Sequence, residues 1–149
     1  MKVKDVMTTK LITVNPETPV KQIAELMLKH KIGGVPVVEG ERLVGIITEE
    51  DLIMKNVKLH FPTYIQLLDA VIYLESLKKY EEELRKAIGA TARDVMTRDP
   101  ITISPEATLE EAATLMVERG ISRLPVVESE KLVGIITKRD ILKSISREL

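Results

Sequence analysis

Gly45-Ile46-Ile47-Thr48-Glu49-Glu50-Asp51 is a short apolar run that ends in a hydroxyl, with a carboxylate three residues later. The run returns as Gly134-Ile135-Ile136-Thr137-Lys138-Arg139-Asp140. Where a strand turns into a helix, Thr-x-x-Asp has the spacing of a capping box, with the carboxylate satisfying backbone donors. The same spacing has a second use. A helix start points backbone N–H groups at a ligand anion, and an aspartate beside it can accept two hydrogen bonds from a vicinal diol, as an acidic residue holds a ribose in other folds. The glycine ahead of each run lets a ligand or another strand come close. Asp51 and Asp140, with Thr48 and Thr137, are therefore open to two readings, a helix cap and a diol clamp. Acid–base catalysis is a poorer fit, since a base needs a paired acid or nucleophile and the recurring residues offer only diol and phosphate partners.

The elements that must position these residues also come twice. Asp5-Val6-Met7-Thr8 returns as Asp94-Val95-Met96-Thr97, and Pro36-Val37-Val38-Glu39 returns as Pro125-Val126-Val127-Glu128, at a constant offset of 89 residues. Residues 3–53 align with 92–142 without a gap, and about half of the pairs are identical. A fixed internal period sets the architecture before any single residue is interpreted. It implies one module with two related halves.

Each half reads as β-α-β-β-α, a mixed α/β arrangement of the α+β type. Asp5 and Asp94 suit an N-cap before a short apolar turn. Ile12-Thr13-Val14 and Ile101-Thr102-Ile103 read as short β-branched strands, stopped by Asn15-Pro16 and Ser104-Pro105. In the following helix Val20, Ile23, Ala24 and Met27 share a face, as do Leu109, Ala112, Ala113 and Met116. Thr18-Pro19 fits a cap followed by Pro at the first helical position, and Thr108 with Glu111 has capping-box spacing. Val35 to Val38 and Leu43 to Ile47 are nearly continuous apolar runs, expected to be covered on both faces. Gly40 tightens the hairpin between them. Packing the two copies about a pseudo-twofold would cover the sheet face that each leaves bare.

The expected segments are 1–53 and 92–149 for the two copies and 54–91 for an insert. After His60-Phe61-Pro62 the insert is helical in pattern for roughly 25 residues, with Leu67, Val71, Leu74, Leu77, Leu84 and Ile88 near one stripe. Glu81 with Arg85, and Glu82 with Lys86, make favourable i,i+4 pairs. Gly89 suits the stop. Such a helix could cover its own domain or pair with a second subunit, so residues 62–88 are a candidate dimer seam.

Composition narrows the function classes. The 149 residues carry 22 basic and 23 acidic side chains, a formal net charge of −1. That balance gives no electrostatic reason to bind nucleic acid or anionic membrane. Cysteine is absent, which removes disulfides, zinc thiolates and cysteine catalysis and fits a cytoplasmic setting. No apolar stretch approaches a membrane span, and no signal-peptide core is evident. One Phe and no Trp leave no stacking platform for single strands. His30 and His60 do not recur and have no partner at ligand spacing, so they read as surface or packing residues rather than metal ligands.

The D-V-M-T opening, the P-V-V strand and G-I-I-T-x-x-D, all in two copies, resemble a tandem pair of cystathionine β-synthase (CBS) domains, a Bateman module. The resemblance covers nearly everything except the insert. It implies a regulatory module, with no catalysis and no catalytic cofactor, that binds adenosine-containing ligands in clefts between the two motifs. AMP, ADP, ATP, S-adenosylmethionine or methylthioadenosine would be the regulatory ligand. Under that resemblance Asp51 and Asp140 match the ribose-binding position, and Thr48 and Thr137 match a contact to ribose or phosphate. Ile12, Ile101, Ile32 and Ile121 match positions lining the adenine. Gly33-Gly34 and Ser122-Arg123 match the segment where a phosphate-binding basic residue often stands.

The copies differ at the phosphate end. The second supplies Ser122, Arg123, Lys138 and Arg139, where the first has Gly33, Gly34, Glu49 and Glu50. An arginine on a phosphate makes charge-assisted hydrogen bonds, each worth about 1.5–3 kcal/mol. Unequal sites are expected, with phosphate nearest the second copy and a neutral or cationic adenosine derivative better suited to the first. The expected partners are the adenosine ligand, a second copy in a homodimer and a regulated protein. A constitutive dimerisation module with empty clefts is the alternative, and a nucleic-acid-binding module is the weaker third.

Overall fold

The computed structural model describes residues 1–60 and 90–148. It contains α1 (Val3–Val6), α2 (Val20–His30), β1 (Gly34–Glu39), β2 (Arg42–Thr48) and α3 (Glu49–His60). These are followed by α4 (Ala92–Val95), β3 (Thr97–Arg98), α5 (Leu109–Arg119), β4 (Arg123–Glu128), β5 (Lys131–Thr137) and α6 (Lys138–Glu148). The expected helix and dimer seam at 62–88 lie outside the described residues.

The chain is a mixed α/β protein with antiparallel strands, and it divides into two compact units. Met1–Thr13, Pro36–Gly45 and Arg98–Leu149 form the first, and Val14–Val35 with Ile46–Thr97 form the second. Each unit therefore takes segments from both sequence copies.

The strand order is β1-β2-β5-β4, with β1 from Pro36 onward, β2 as far as Gly45, and all of β4 and β5 in the first unit. β4 runs antiparallel to β5, from Arg123 opposite Thr137 to Glu128 opposite Lys131, with an irregularity between Val126 and Val127. β2 joins β5 at Arg42 and Lys131. The core is Val3, Ile103, Ala112, Met116, Leu124, Val126 and Ile136. Leu124, Pro125 and Val126 are consecutive and buried, as the continuous apolar run requires when both faces of a strand are covered.

The first copy's leading turn closes this core. Val3 is fully buried; its N–H donates to Ala107 O at 2.8 Å, and Lys4 N–H donates to Pro105 O at 3.0 Å. The second unit repeats the device, with Ala92 N–H on Thr18 O at 2.9 Å and Arg93 N–H on Pro16 O at 2.9 Å. Lys2 and Lys4 both reach Glu106, at 2.7 and 3.0 Å. Hydrogen bonds from the two lysines lower the Glu106 carboxyl pKa, and the bond to Glu106 raises that of Lys2. The pair is exposed and therefore adds little to stability.

Several local expectations are corrected. Asp5 and Asp94 are not N-caps. Each stands at the third helical position and accepts from the backbone of the capping residue, Lys2 or Thr91, at 2.8 Å. Pro19 is the N-cap of α2 rather than its first residue, with φ −61° and ψ 140°. Thr18 instead accepts from Asn15 N–H at 3.1 Å, closing the turn before it. The strands expected at 12–14 and 101–103 contract to single bridge residues at Val14 and Ile103, because the prolines that follow end the ladder. Ile103 pairs in parallel with Val126. The Thr108–Glu111 box is present as expected.

α2 ends on Lys31 in the left-handed region at φ 54°, whereas α5 ends on Gly120 at φ 63°. A side chain costs about 1–2 kcal/mol there. Lys31→Gly is expected to raise unfolding free energy by about 1 kcal/mol, read as a higher denaturant midpoint at constant slope.

Candidate functional site

The strand-to-helix junctions hold the two Thr-x-x-Asp elements as reciprocal boxes. In the second unit Thr48 N–H donates to Asp51 Oδ2 at 3.0 Å, and Asp51 N–H donates to Thr48 Oγ1 at 3.2 Å. In the first unit Thr137 N–H donates to Asp140 Oδ2 at 2.9 Å, its hydroxyl donates to the same oxygen at 3.1 Å, and Asp140 N–H returns to Thr137 Oγ1 at 3.2 Å. All four residues are half-buried. The cap geometry is thus realised in both units, and it is carried by one carboxylate oxygen. Among the described residues, Asp140 Oδ1 receives only a long contact from the Thr8 hydroxyl, at 3.4 Å, which the hydroxyl shares with Oδ2 at 3.5 Å.

Thr8 was not among the residues expected from the sequence. It belongs to the first copy, yet in the first unit it stands beside the second copy's aspartate. Two backbone hydrogen bonds hold it on β5: Thr8 N–H to Ile135 O at 2.8 Å, and Ile135 N–H to Thr8 O at 3.0 Å. Gly134 makes this approach possible, because a Cβ there would lie 2.6 Å from Met7 Sδ and 3.1 Å from Thr8 O. The available signal was the recurrence of Met-Thr together with a glycine one turn of strand before each Thr-x-x-Asp.

The junctions also gather the neighbouring expected residues. Lys138 N–H donates to Ser122 O at 3.0 Å, and Glu49 N–H donates to Gly33 O at 3.0 Å, so the segment before each proline strand is tied to the helix start. Arg123 is the cross-strand partner of Thr137 and is half-buried. Lys138 and Arg139 are exposed on the first turn of α6, as are Glu49 and Glu50 on α3. Ile32 and Ile121 follow the left-handed caps and are half-buried; Ile121 packs on the first unit's core. Gly34 opens β1 and is buried.

Ile12 and Ile101 both fall in the first unit. Ile101 is 36% exposed and Ile12 is half-buried. Leu11 and Thr13, which flank Ile12, line a recess of about 310 Å³ with Val38, Leu132 and Val133. Ile32, Gly33, Gly34, Thr48, Glu49, Glu50 and Asp51 belong to the second unit, without Ile12. His30 is exposed on α2. Among the described residues, no three His, Asp or Glu side chains are grouped to hold a metal ion, and no helix is long and apolar enough to cross a membrane.

A repeated αβ unit with a Thr-x-x-Asp box at each strand-to-helix junction defines a class, and comparison with known proteins places the chain in it. The family model of the CBS domain matches residues 3–57 and 92–147, and the chain belongs to the CBS-domain family as a tandem pair. The Methanocaldococcus jannaschii protein MJ1426 is 34% identical, over 97% of this chain and 91% of that one. Inosine-5'-monophosphate dehydrogenase of Korarchaeum cryptofilum is 36% identical, but the match spans only 21% of the enzyme. Among solved structures, CBSX2 in complex with AMP is similar at TM-score 0.76 and 29% identity, covering 99% of this chain and 97% of that one. The CBS domain pair of protein MJ0100, in complex with 5'-methylthioadenosine and S-adenosyl-L-methionine, is similar at TM-score 0.71 and 25% identity, covering 100% of this chain and 98% of that one.

Proposed function

We propose that the chain is a non-catalytic sensor whose two Thr-x-x-Asp elements each hold the ribose of an adenosine-containing ligand. The carrying observation is at Asp140, where capping occupies Oδ2 and leaves Oδ1 to a weak contact that a diol hydroxyl can replace. Complexes of similar CBS pairs with AMP and with S-adenosylmethionine and methylthioadenosine support the adenosine class. In the first unit the ligand would touch both sequence copies, through Thr8 and through Thr137 and Asp140. Occupancy would favour whichever arrangement binds ligand more tightly, and a regulated protein or a second copy would read the change.

The two sites are unequal on this reading. Arg123 stands opposite Thr137 in the strand register, and Lys138 and Arg139 follow it, so the first unit takes the phosphorylated ligand. The second unit, with Gly33, Gly34, Glu49 and Glu50, suits methylthioadenosine or S-adenosylmethionine. Calorimetric titration with AMP, ATP, S-adenosylmethionine and methylthioadenosine tests the proposal. Failure of all four to bind below millimolar concentration would sink it.

Arg123→Ala is expected to weaken AMP or ATP by roughly 10-fold, from loss of one charge-assisted hydrogen bond. Methylthioadenosine affinity should stay as it was. Equal loss for both ligands would refute the phosphate role.

A second reading is favoured by one observation: both aspartates already satisfy helix ends, as a purely structural cap would. The chain would then be a constitutive interaction module. Denaturing the purified protein and analysing the supernatant by mass spectrometry for co-purified nucleotide separates the two.

A further inference from the structure

The exposed face of α6 is cationic from its first turn to Arg147. Lys138, Arg139, Lys143 and Arg147 are all exposed, and no exposed residue between Lys138 and Arg147 is acidic. Asp140 is half-buried and bonded to Thr137. Among the described residues, none of the four cations forms an ion pair. Arg139, Lys143 and Arg147 recur at four-residue spacing and make one stripe of the helix. Leu142 and Ile145 make a second stripe beside it and are 65% and 47% exposed. The opposite side of the helix is turned inward, with Ser144 buried.

The repeated scaffold does not dictate this pattern. At the positions of Lys138, Arg139 and Lys143 the first copy has Glu49, Glu50 and Met54. The apolar position of Leu142 is kept, as Ile53, but its charged surroundings are not. Lys138 and Arg139 also stand in the first turn of α6, where the helix dipole favours acids. The cations of this face are therefore not explained by the stability of the helix that bears them.

We propose that the exposed face of α6 docks an acidic amphipathic helix of a partner protein. Carboxylates of that helix would lie along Arg139, Lys143 and Arg147, and its apolar side chains would cover Leu142 and Ile145. Charge complementarity selects this occupant. α6 has 11 residues, about 16 Å of helix, which matches three turns of a partner with the mirrored pattern. An anionic membrane is a poorer fit, because interfacial helices bury a large apolar face or add a second anchor, and here two side chains are offered. A nucleic-acid backbone would use the cations but gives Leu142 and Ile145 nothing to pack on. A second copy presenting its own α6 would set cation against cation. The proposal names the chemistry of a protein partner and does not depend on what either Thr-x-x-Asp box binds.

Fluorescence anisotropy with a labelled synthetic peptide tests it on the full chain. The probe is a helix-forming peptide with glutamates along one stripe at four-residue spacing and leucines along the next. Its twin carries lysine for every glutamate. The acidic peptide is expected to bind in the micromolar range at low ionic strength, and the lysine twin at least roughly 100-fold more weakly. Lys143→Glu with Arg147→Glu, folded by circular dichroism, should weaken the acidic peptide by roughly 10-fold or more and strengthen the lysine twin. Leu142→Ser should weaken the acidic peptide by roughly 10-fold, through lost apolar burial. No binding of the acidic peptide would overturn the proposal, as would affinity unchanged by Leu142→Ser, which would mean charge attraction alone. Binding to phosphatidylserine-containing vesicles or to duplex DNA, with none to the peptide, would assign the face to a membrane or to nucleic acid instead. A wild-type dimer made monomeric by the double variant would assign it to a second copy. Calorimetry with AMP is read separately: a chain that binds AMP but not the peptide overturns only this docking, and the reverse overturns only the ligand reading.

Discussion

Asp140→Ala is expected to weaken the adenosine ligand of the first unit by roughly 10- to 100-fold, the loss of one or two hydrogen bonds to a charged acceptor. The same change removes the box that joins Thr137 to Asp140, which costs about 1 kcal/mol of stability. The two effects separate in Asp140→Asn. An asparagine keeps an amide oxygen that can accept from Thr137 N–H and loses only the negative charge favoured in a helix's first turn, so unfolding free energy should fall by less than in Asp140→Ala. A neutral amide offers a diol weaker acceptors than a carboxylate does, so affinity should fall. Calorimetry and chemical denaturation on the three proteins give the answer. If alanine lowers stability while affinity for all adenosine ligands is unchanged, Asp140 is a cap and nothing more.

The features readable from residue types were those set by local rules. The apolar faces of α2 and α5, the continuous β1 and β2 runs and the Thr-x-x-Asp caps all depend on neighbours within a few positions, and the repeat is legible by comparing the chain with itself. The hairpin at Gly40 follows in the same way, with φ 63° at that glycine. What the residues did not announce was the exchange of leading segments. Nothing local distinguishes a Val3 that packs against its own copy from one that fills the core around Met116 and Leu124. The β-branched triplets Ile12-Thr13-Val14 and Ile101-Thr102-Ile103 overstated strand, because propensity is outweighed by the prolines that follow and by how little of a partner edge is available. For the site, the aspartates and threonines were identifiable by recurrence. Thr8 was not, since its nearness to Asp140 depends on a contact spanning almost the whole chain. Its own signature, Met-Thr in both copies, reads locally as the end of a capped turn.

Gly134→Val should therefore act on two links at once, and it is the change expected to harm the first unit most. The new Cβ would meet Met7 Sδ at 2.6 Å, Met7 Cγ at 3.1 Å and Thr8 O at 3.1 Å. The methionine side chain can turn away. The Thr8 carbonyl cannot move without breaking its bond from Ile135 N–H and the reciprocal bond at 2.8 Å. Valine adds methyl groups beyond that Cβ, and overpacking of this kind costs about 1–3 kcal/mol. The leading turn would be pushed from β5, loosening the cover that Val3 gives the core and taking Thr8 away from Asp140. Thermal unfolding should shift down, and ligand affinity in the first unit should change, while Thr48 and Asp51 keep theirs. Gly134→Ala combined with Met7→Ala is the informative companion, because it relieves the side-chain clash and leaves only the tight approach to Thr8 O. Little recovery of stability in that pair, relative to Gly134→Ala alone, is the expected result, because the methionine can turn away and the Thr8 carbonyl cannot. Wild-type stability in Gly134→Val would mean that the leading turn contributes nothing to the fold of the unit it closes.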